Sequence, residues 1–396
     1  MKYNIWKDCR RVPLPELLDF IVDNRGKTVP TVNQNEACNV VLIATNCIRN
    51  ENLYPVYEKI RFISEDTYKT WFRSHPIPGD IIFVNKGTPG RVCLCPDIID
   101  FCIAQDMMAF RVDSNKLYNK YLLAVLRSRV MQEQIRITSV GDTIPHFKKE
   151  FLKDLYIPVP PMEIQRIIGD YYYNLSQKIE LNKKINENLE QQAQAIYTEM
   201  FNDNALEAWQ TGTLSDIAAI TMGQSPKGDT LNDTGKGDVF YQGRTDFGFR
   251  FPTRRLYTTE PKRIALYGDA LMSVRAPVGD LNVAYEECCI GRGLAAIHSR
   301  DNHQSFVLYT LFALKRHLDV FNGEGTVFGS INKDSLNSIG ITIPPIELVD
   351  KFESIVNPID RAILNNYEEI CRLQSIRDSL LPKLMNGEID VSQVKI

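Results

Sequence analysis

The sequence predicts an α+β fold: two mixed α/β domains joined and separated by two long antiparallel, coiled-coil helices, as a pseudo-twofold internal repeat. The phrase IPVPPMEIQ at Ile157–Gln165 returns as ITIPPIELV at Ile341–Val349, 184 residues later. After each Pro-Pro pair, apolar residues recur at alternating steps of three and four, the spacing of a coiled-coil seam. Strand-like runs precede each phrase, which indicates a mixed domain before each helix.

The repeat keeps a constant spacing only in its helical parts. A shift of 184 aligns Leu152–Phe201 with Leu336–Met385 without a gap, whereas matches earlier in each half need shifts of 189 or 200. Inserting one residue rotates a helix face by ~100°, while surface loops tolerate insertions. Each copy is therefore predicted to be a variable globular domain followed by a helix of constrained length.

These spacings predict four segments. Residues 1–160 form the first globular domain, 161–203 the central spacer helix, 204–345 the second domain, and 346–396 the C-terminal spacer helix and tail. The strand-like runs include NVVLIAT and GDIIFVNKG in the first domain, and DVFYQG and DALMSV in the second. Proline begins helices readily, so each Pro-Pro pair is predicted to end a strand and start a helix.

The apolar stripes of the two helices are predicted to pack on each other. The residues assigned to helix–helix packing are Leu175, Ile179, Asn182, Leu189, Ile359, Ile363, Asn366 and Leu373. The stripe is also predicted to include Ile185 and Ile355. The two asparagines have two interpretations: local solvent exposure, or a polar pair that fixes helix register at some cost in stability.

The chain has the composition of a globular protein with a local basic segment. Its formal net charge is −3, with 44% apolar and 24% charged residues, which does not by itself indicate a nucleic-acid binder. From Tyr241 to Arg263, however, six basic residues stand against two acidic ones and alternate with aromatic residues. This segment is either a solvated surface or a nucleic-acid-binding surface. No apolar run approaches the ~20 residues of a membrane span, and the chain begins without the apolar core of a signal peptide, so a cytoplasmic location is expected.

Motifs for catalysis or metal binding are missing. The Pro-Pro tetrapeptides VPPM and IPPI do not fit the [NDS]PP[YFW] motif of adenine methyltransferases, and FNGEG follows a helical stretch rather than a strand. DTGKGD lacks the spacing of a phosphate-binding loop. The five histidines include no HExxH and the nine cysteines no CxxC. We therefore predict no catalytic residue and no metal site, with the cysteines as small buried residues.

Two variable domains alternating with two similar long helices resemble the specificity (S) subunits of Type I restriction–modification systems. The resemblance spans essentially the whole chain. It is carried by LKDLYIPVPPMEIQRII, by LNSIGITIPPIELVDKF and by the C-terminal SLLPKLMNGEID. In the globular parts it is carried by VLIATNCI, by the two GD-strand segments PGDIIFVNKGTPG and YGDALMSVRAPVG, and by LSDIAAITMGQSPKG.

The resemblance implies a non-catalytic recognition subunit. Each globular half would be a target-recognition domain that reads one half of a bipartite sequence in double-stranded DNA, and the helices would act as a ruler for the unread spacer. Two methyltransferase (M) subunits would dock on the helices and supply S-adenosylmethionine and adenine methylation. Two restriction (R) subunits, where present, would add ATP- and Mg-dependent translocation and cleavage. The two variable parts differ, which implies an asymmetric target.

Base-reading chemistry narrows the candidate DNA contacts. Arginine reads guanine, Asn or Gln reads adenine, and lysine mostly binds phosphate. The candidates are Lys27, Asn46, Arg49, Lys86, Lys148 and Lys149 in the first domain, and Lys227, Gln242, Arg244, Arg250, Arg254, Arg255 and Arg275 in the second. Asn46 and its repeat partner Asp246 follow a strand, where such residues also cap turns.

Alternative functions stay open at this point. One is a coiled-coil scaffold that joins two modules. Another is a silent or methylation-only specificity variant, and a third is a stand-alone DNA methyltransferase or nuclease. Salt-sensitive, sequence-selective DNA binding by the assembled complex separates recognition from scaffolding.

Overall fold

A computed structural model describes residues 4–24, 26, 28–33, 39–141, 143–203, 209–322 and 329–390. The chain divides into two compact units. Unit 1 contains residues 1–184 and 366–396, and unit 2 contains residues 185–365. Each unit combines one globular domain with part of both long helices.

The described residues of unit 1 form three small sheets. Its strands are β1 (Arg11–Pro13), β2 (Leu18–Val22), β3 (Asn39–Ile43), β4 (Arg61–Ser64), β5 (Ile81–Val84), β6 (Val92–Leu94), β7 (Phe101–Ile103), β8 (Met107–Val112) and β9 (Tyr156–Pro158). An antiparallel sheet has the order β2-β8-β5-β6, a second sheet the order β4-β3-β7 with β3 parallel to β7, and β1 pairs with β9. The central strand β5, with the sequence IIFV, is buried along its whole length.

The helices of unit 1 follow its sheets in the chain. They are α1 (Glu65–Thr70), α2 (Asn119–Arg127), α3 (Arg129–Thr138) and the first part of α4 (Met162–Tyr197). Ser128 separates α2 from α3, and its hydroxyl accepts a hydrogen bond from the backbone N–H of Met131, as an N-cap residue does. The α2 segment YLLAVL is buried and packs in the main apolar cluster of the unit.

Unit 2 repeats the same sheets. Its strands are β10 (Gln210–Thr213), β11 (Ala218–Met222), β12 (Leu231–Asn232), β13 (Asp238–Tyr241), β14 (Leu256–Thr258), β15 (Ile264–Ala265), β16 (Ala270–Ser273), β17 (Leu281–Val283), β18 (Cys288–Ile290), β19 (Leu294–Ser299) and β20 (Gly340–Ile343). The orders are β11-β19-β16-β17, β12-β14-β13-β18-β15 and β10-β20. Its helices are α5 (Leu214–Ile217), α6 (Gln304–Ala313), α7 (Lys315–Asp319), α8 (Lys333–Asn337) and part of α9 (Ile346–Met385).

The two units share one topology. The sheet β2-β8-β5-β6 corresponds to β11-β19-β16-β17, and the parallel pair β3/β7 corresponds to β13/β18. The ribbon β1/β9 corresponds to β10/β20, and the short strands β12 and β15 have no counterpart among the described strands of unit 1. The predicted α+β class, the repeat and the two long helices are confirmed. The four predicted sequence boundaries remain predictions.

The helices α4 and α9, here called the helix pair, run antiparallel within each unit. In unit 1, Lys178 forms an ion pair with Glu369, and the Arg377 guanidinium lies 5.6 Å from the ring centre of Tyr172. In unit 2, the Asn186 amide donates a 3.1 Å hydrogen bond to the carbonyl of Ile363. Contacts made later in α4 are therefore made earlier in α9. Beyond Tyr197 the chain continues as a π-helical segment, Thr198–Asp203.

The buried face of the helix pair differs from the predicted stripe at two positions. Ile185 is 45% exposed and Ile355 is 40% exposed, whereas their neighbours Asn186 and Val356 are buried. The reason is register, because steps of three and four from Ile179 lead to positions 182 and 186. The sequence assignment favoured an apolar residue over the position that the period requires.

The other packing candidates lie on or near this face. Ile179, Leu373 and Ile370 form a buried cluster with the half-buried Leu175, and Ile359 packs against the main apolar cluster of unit 2. The amide nitrogen of Asn182 donates to the carboxylate of Glu369 at 2.8 Å. Ile363 is buried, and Leu189 and Asn366 are half-buried. The Asn182 side chain therefore lies in the interface and bonds to an acid of α9.

Helix α9 continues through two prolines, Pro358 and Pro382. Each removes one backbone N–H from the helix, so packing of its buried face has to hold the helix together there. Of the helices in the described ranges, none is long and apolar enough to cross a membrane.

Candidate nucleic-acid interface

A buried aspartate positions the start of the central strand in each repeat. Gly79 and Gly268 have φ values of +83° and +86°, a region that favours glycine. The carboxylate of Asp80 accepts hydrogen bonds from the backbone N–H of Ile77 at 3.0 Å and from Arg111. The carboxylate of Asp269 makes the equivalent bond to Leu266 at 2.8 Å. The two glycine-aspartate segments therefore hold β5 and β16 in the same way.

In unit 1, a cleft of about 520 Å³ opens at the end of β5. Its lining residues are Gly26, Asn85, Lys86, Gln105, Asp106 and His146. Asn85 is buried, and its amide oxygen and nitrogen have no hydrogen-bond partner among the described residues. The Lys86 ammonium lies 3.8 Å from the carboxylate of Asp106. The first cleft therefore combines amide groups with one lysine.

In unit 2, a cleft of about 410 Å³ opens at the end of β16. Its lining residues are Met222, Val274, Arg275, Arg292, Gly329, Ser330, Ile331 and Asn332. Arg275 and Arg292 are both exposed. Within the described ranges, neither guanidinium has an acidic side chain in contact. The second cleft therefore holds two arginines whose charge no acid of the described chain neutralises.

The same backbone hydrogen bonds frame both clefts. In unit 1, Asn85 N–H donates to the carbonyl of Asp106 at 2.9 Å, and Phe147 N–H donates to the carbonyl of Asn85 at 2.7 Å. In unit 2, Val274 N–H donates to Gly293 at 2.9 Å, and Ile331 N–H donates to Val274 at 3.1 Å. The clefts are therefore equivalent places in the two repeats, lined by different side chains.

Among the polar cleft residues, Asn85, Gln105 and Arg292 carry no sequence signal that marked them as candidates. Arg292 follows β18, at the position that Gln105 holds after β7. Aligning the short strands β7 and β18 could have revealed this match. The strands have only three residues each, however, and their loops carry no motif.

Residues 242–255, here called the arginine segment, are held by one buried carboxylate. Asp246 accepts hydrogen bonds from the backbone N–H of Gln242 at 2.7 Å and of Gly243 at 3.3 Å, and from Arg255 Nε at 2.8 Å. It is buried, whereas Arg255 is half-exposed. Asp246 therefore fixes the turn, and Arg255 compensates its charge.

Most other predicted DNA-contact residues have an acidic neighbour in the chain. The exposed or half-exposed pairs are Arg49–Glu58, Lys148–Glu150, Lys149–Asp23, Arg244–Asp280 and Arg254–Glu286. Exposed pairs contribute little to stability, so these side chains could exchange an acid for a phosphate at small cost. Their role in DNA binding stays a prediction.

Three further candidates have other surroundings. Asn46 lies in a 3-10 turn, and its amide donates to the carbonyl of Glu58, so it joins two segments twelve residues apart instead of capping its own turn. Lys227 is exposed and precedes a 3-10 turn. Lys27 lies outside the described residues.

The prediction that Arg250 contacts DNA is wrong, because this residue is buried. Its side chain is 4% exposed, and Nη2 lies 3.1 Å from Glu190 of α4 and 3.6 Å from Asp360 of α9. It also donates a 2.9 Å hydrogen bond to the hydroxyl of Tyr309. A guanidinium committed to these groups cannot reach DNA, and the basic run in the sequence did not distinguish it from its exposed neighbours.

Within the described residues, no group of three or more His, Cys, Asp or Glu side chains lies together as a metal site would require. Most of the described cysteines are buried, as expected: Cys47, Cys93, Cys95, Cys102, Cys288 and Cys289. The expectation is wrong for Cys371, which is exposed on α9, and Cys9 is half-buried.

Comparison with known proteins identifies the family. The model for the Type I restriction modification DNA specificity domain matches residues 8–191 and again residues 207–370. The two matches correspond to the two copies of the repeat.

Individual relatives agree with this match. The "Putative type I restriction enzyme MjaX specificity subunit" of Methanocaldococcus jannaschii is 30% identical over 348 residues, which cover 80% of this chain and 79% of that protein. The Type I restriction enzyme HindI specificity subunit of Haemophilus influenzae is 22% identical and covers 78% of this chain and 86% of that protein. The crystal structure of the Type-I restriction-modification system S subunit from M. genitalium has a TM-score of 0.56 at 18% identity, over 97% of this chain and 98% of that one, which shows a shared fold.

The duplicated domain, the equivalent clefts and the matched family model lead to one conclusion. This chain belongs to the family of Type I restriction modification DNA specificity domains, and its role is that of a DNA sequence-specificity subunit.

Proposed function

We propose that this chain reads a bipartite, asymmetric DNA target and directs adenine methylation by partner subunits, without catalysing a reaction itself. The observation that carries the proposal is the pair of equivalent clefts with different linings. One fold, repeated, would present two readers of the same kind with different base preferences.

The side chains of the two clefts favour different bases. The first cleft offers the half-buried amide of Gln105, a residue type that reads the hydrogen-bonding edge of adenine, whereas the amide of Asn85 is fully buried. The second offers Arg275 and Arg292, a residue type that reads guanine or binds phosphate. Since the two linings differ, the two half-sites would differ, and the whole target would not be a palindrome.

Partners would supply the chemistry. Two M subunits would bring S-adenosylmethionine and the methylating site, and R subunits, where encoded, would bring ATP- and Mg-dependent cleavage. Partner subunits would also supply part of the positive charge that DNA binding needs, because this chain has a formal net charge of −3. A cytoplasmic location accords with these partners.

Methylation sequencing tests the proposal. The chain would be co-expressed with the methyltransferase encoded beside it in a host without DNA methylation. The expected result is a new bipartite, asymmetric methyladenine motif that is absent when this chain is omitted. A soluble complex that adds no motif would contradict the proposal and favour a scaffold or a silent variant.

Replacing Arg275 and Arg292 by alanine, singly and together, is expected to weaken DNA binding with little loss of stability. Because neither contacts an acid within the described residues, no buried carboxylate loses its partner. If each binds a phosphate, the negative slope of log K against log salt becomes shallower by about 1 for each arginine removed. If either reads a base, relaxed selectivity at one half-site accompanies the loss. Fluorescence anisotropy of the assembled complex at several salt concentrations measures both effects.

Arg316→Ala serves as the control, because it removes an exposed arginine on α7 outside the cleft. Its salt slope should equal that of the unmodified complex. Lys86→Ala, in the equivalent cleft of unit 1, should affect the other half-site. Unchanged DNA binding by the double arginine variant would show that the second cleft does not contact DNA.

A further inference from the structure

Arg250 is the buried centre of a polar cluster in unit 2. Besides Glu190, Asp360 and Tyr309, its guanidinium lies 5.6 Å from the ring centres of both Tyr309 and Phe312. The Tyr309 hydroxyl donates to Asp360 at 2.8 Å, which closes the cluster. One arginine therefore joins α4, α6 and α9.

The backbone around Arg250 belongs to the arginine segment. Its carbonyl accepts a 2.8 Å hydrogen bond from Val283 of β17, and four residues earlier Asp246 fixes the turn. Arg244, Arg254 and Arg255 flank it on the exposed side. The segment thus presents its exposed arginines outward and inserts one arginine between the two long helices.

The cost of burial makes this contact selective. Burial raises the pKa of both Glu190 and Asp360, while Arg250 opposes that rise. The side chains of Glu190 and Asp360 are 16% and 23% exposed, so leaving both acids without the arginine would be destabilising, though less than for fully buried charges. The segment is therefore favoured in the position that brings Arg250 between the two acids.

The first repeat has neither the arginine nor the two acids at the matching positions. At the same offset from the shared threonine, Thr45 or Thr245, unit 1 has Asn50 in place of Arg250. The shift of 184 places the uncharged residues Gln374 and Ser176 at the positions of Glu190 and Asp360, respectively. The Asn50 amide oxygen instead accepts a 2.9 Å hydrogen bond from Val92 of β6. The arginine and its two acids are thus features of one repeat.

Unit 1 holds the matching segment on α4 by a different bond. The carboxylate of Glu180 lies within 3.5 Å of the backbone nitrogen of Leu53 and the amide nitrogen of Asn52. Each repeat thus anchors this segment to the helix pair, with its own chemistry.

We propose that Arg250 is a positioning residue: it locks the arginine segment to the helix pair through Glu190 and Asp360, and so sets the spacing at which the second half-site is read. The proposal rests on the function proposed above. It assigns Arg250 to the geometry of the target, whereas the exposed arginines of this segment, together with Arg275 and Arg292 of the second cleft, would contact the DNA.

The test uses the assembled methyltransferase and a set of DNA targets whose unread spacer is one base pair shorter, cognate or one base pair longer. The principal variant is Arg250→Met with Glu190→Gln and Asp360→Asn. It removes all three charges at nearly constant volume, so the fold is expected to persist. The expected result is a roughly tenfold or larger fall in the preference for the cognate spacer, with both half-site sequences still required.

Two further variants complete the test. Arg250→Lys keeps a cation beside both acids. It is expected to retain much more of the spacer preference than the triple variant, but less than the unmodified complex, because lysine lacks the planar fork. Arg316→Met, an exposed control, should leave the preference unchanged.

The outcomes separate the two proposals. A triple variant that prefers the cognate spacer as strongly as the unmodified complex overturns the positioning role. If the triple variant methylates no target, the lysine variant decides. A lysine variant that also methylates no target overturns the positioning role. An unmodified complex without any bipartite motif would instead contradict the proposed function.

Discussion

Replacing Phe352 by alanine is expected to lower the free energy of unfolding of unit 2 by about 3–5 kcal/mol, the range for removing a buried aromatic side chain. Phe352 of α9 is fully buried. Its ring centre lies 5.2 Å from Phe201, 5.7 Å from Tyr197 and 6.0 Å from Tyr309. The substitution leaves a cavity where α9, the end of α4 and the globular domain meet. The neighbouring rings are packed too tightly to move into it, so the cavity remains.

Tryptophan fluorescence during urea unfolding measures this effect in one unit. Trp209 is the one tryptophan of the sequence between residues 185 and 365, and its ring centre lies 6.5 Å from Phe201. Replacing Trp6 and Trp71 by phenylalanine in both the reference and the variant makes the signal specific to unit 2.

The matched control is Phe249→Ala, the same substitution at a side chain that is 50% exposed. Its free energy of unfolding should change by about 0.5 kcal/mol or less. If Phe352→Ala also changed stability this little, the aromatic cluster would not be the contact that holds α9 to the second domain.

The long-range organisation of this fold could be predicted from sequence because its signals are periodic. The constant shift of 184 and the steps of three and four both follow from helix geometry, and the structure has α4 and α9 where they indicate. The prediction for Ile185 was wrong because it followed apolar character, whereas the helical period places the neighbouring Asn186 on the buried face. Asn186 is tolerated inside because its amide bonds to a backbone carbonyl.

The interface was less predictable because side-chain direction is not periodic in loops. Arg250 and Arg254 belong to the same basic run, yet one is buried between acids and the other is half-exposed. Only tertiary contacts with Glu190 and Asp360, which are distant in sequence, distinguish them. Arg292 was missed for the opposite reason, since it stands alone in sequence and joins Arg275 only through the pairing of β16, β19 and their loops.

Exchanging residues 214–339 for the corresponding segment of another family member is expected to replace one half of the methylated motif and leave the other half unchanged. The two ends of this segment meet, because Leu214 N–H donates a 2.9 Å hydrogen bond to the carbonyl of Ile339. Just outside it, Thr213 pairs with Gly340 in the ribbon β10/β20. The first repeat closes in the same way, with a 2.9 Å bond from Leu14 to Leu155.

Methylation sequencing of the exchanged chain, co-expressed with the same methyltransferase, measures the outcome. A second exchange limited to residues 220–330 is the control. It cuts inside β11, where Ile220 pairs with Ile297 of β19, so a foreign β19 would have to pair with half of a native strand. This chain is expected to be poorly folded and to methylate neither motif, whereas the exchange at 214–339 keeps every strand of the domain sheets from one parent.

The helix pair sets a condition on which donors succeed. An incoming segment should supply an arginine for Glu190 and Asp360, or those acids should be changed to Gln and Asn, because two largely buried carboxylates without a cation are destabilising. A donor without the arginine should therefore fail on the native helices and succeed on the neutral ones. If such a donor worked equally well on both, the buried cluster would not be what couples the second domain to its helices.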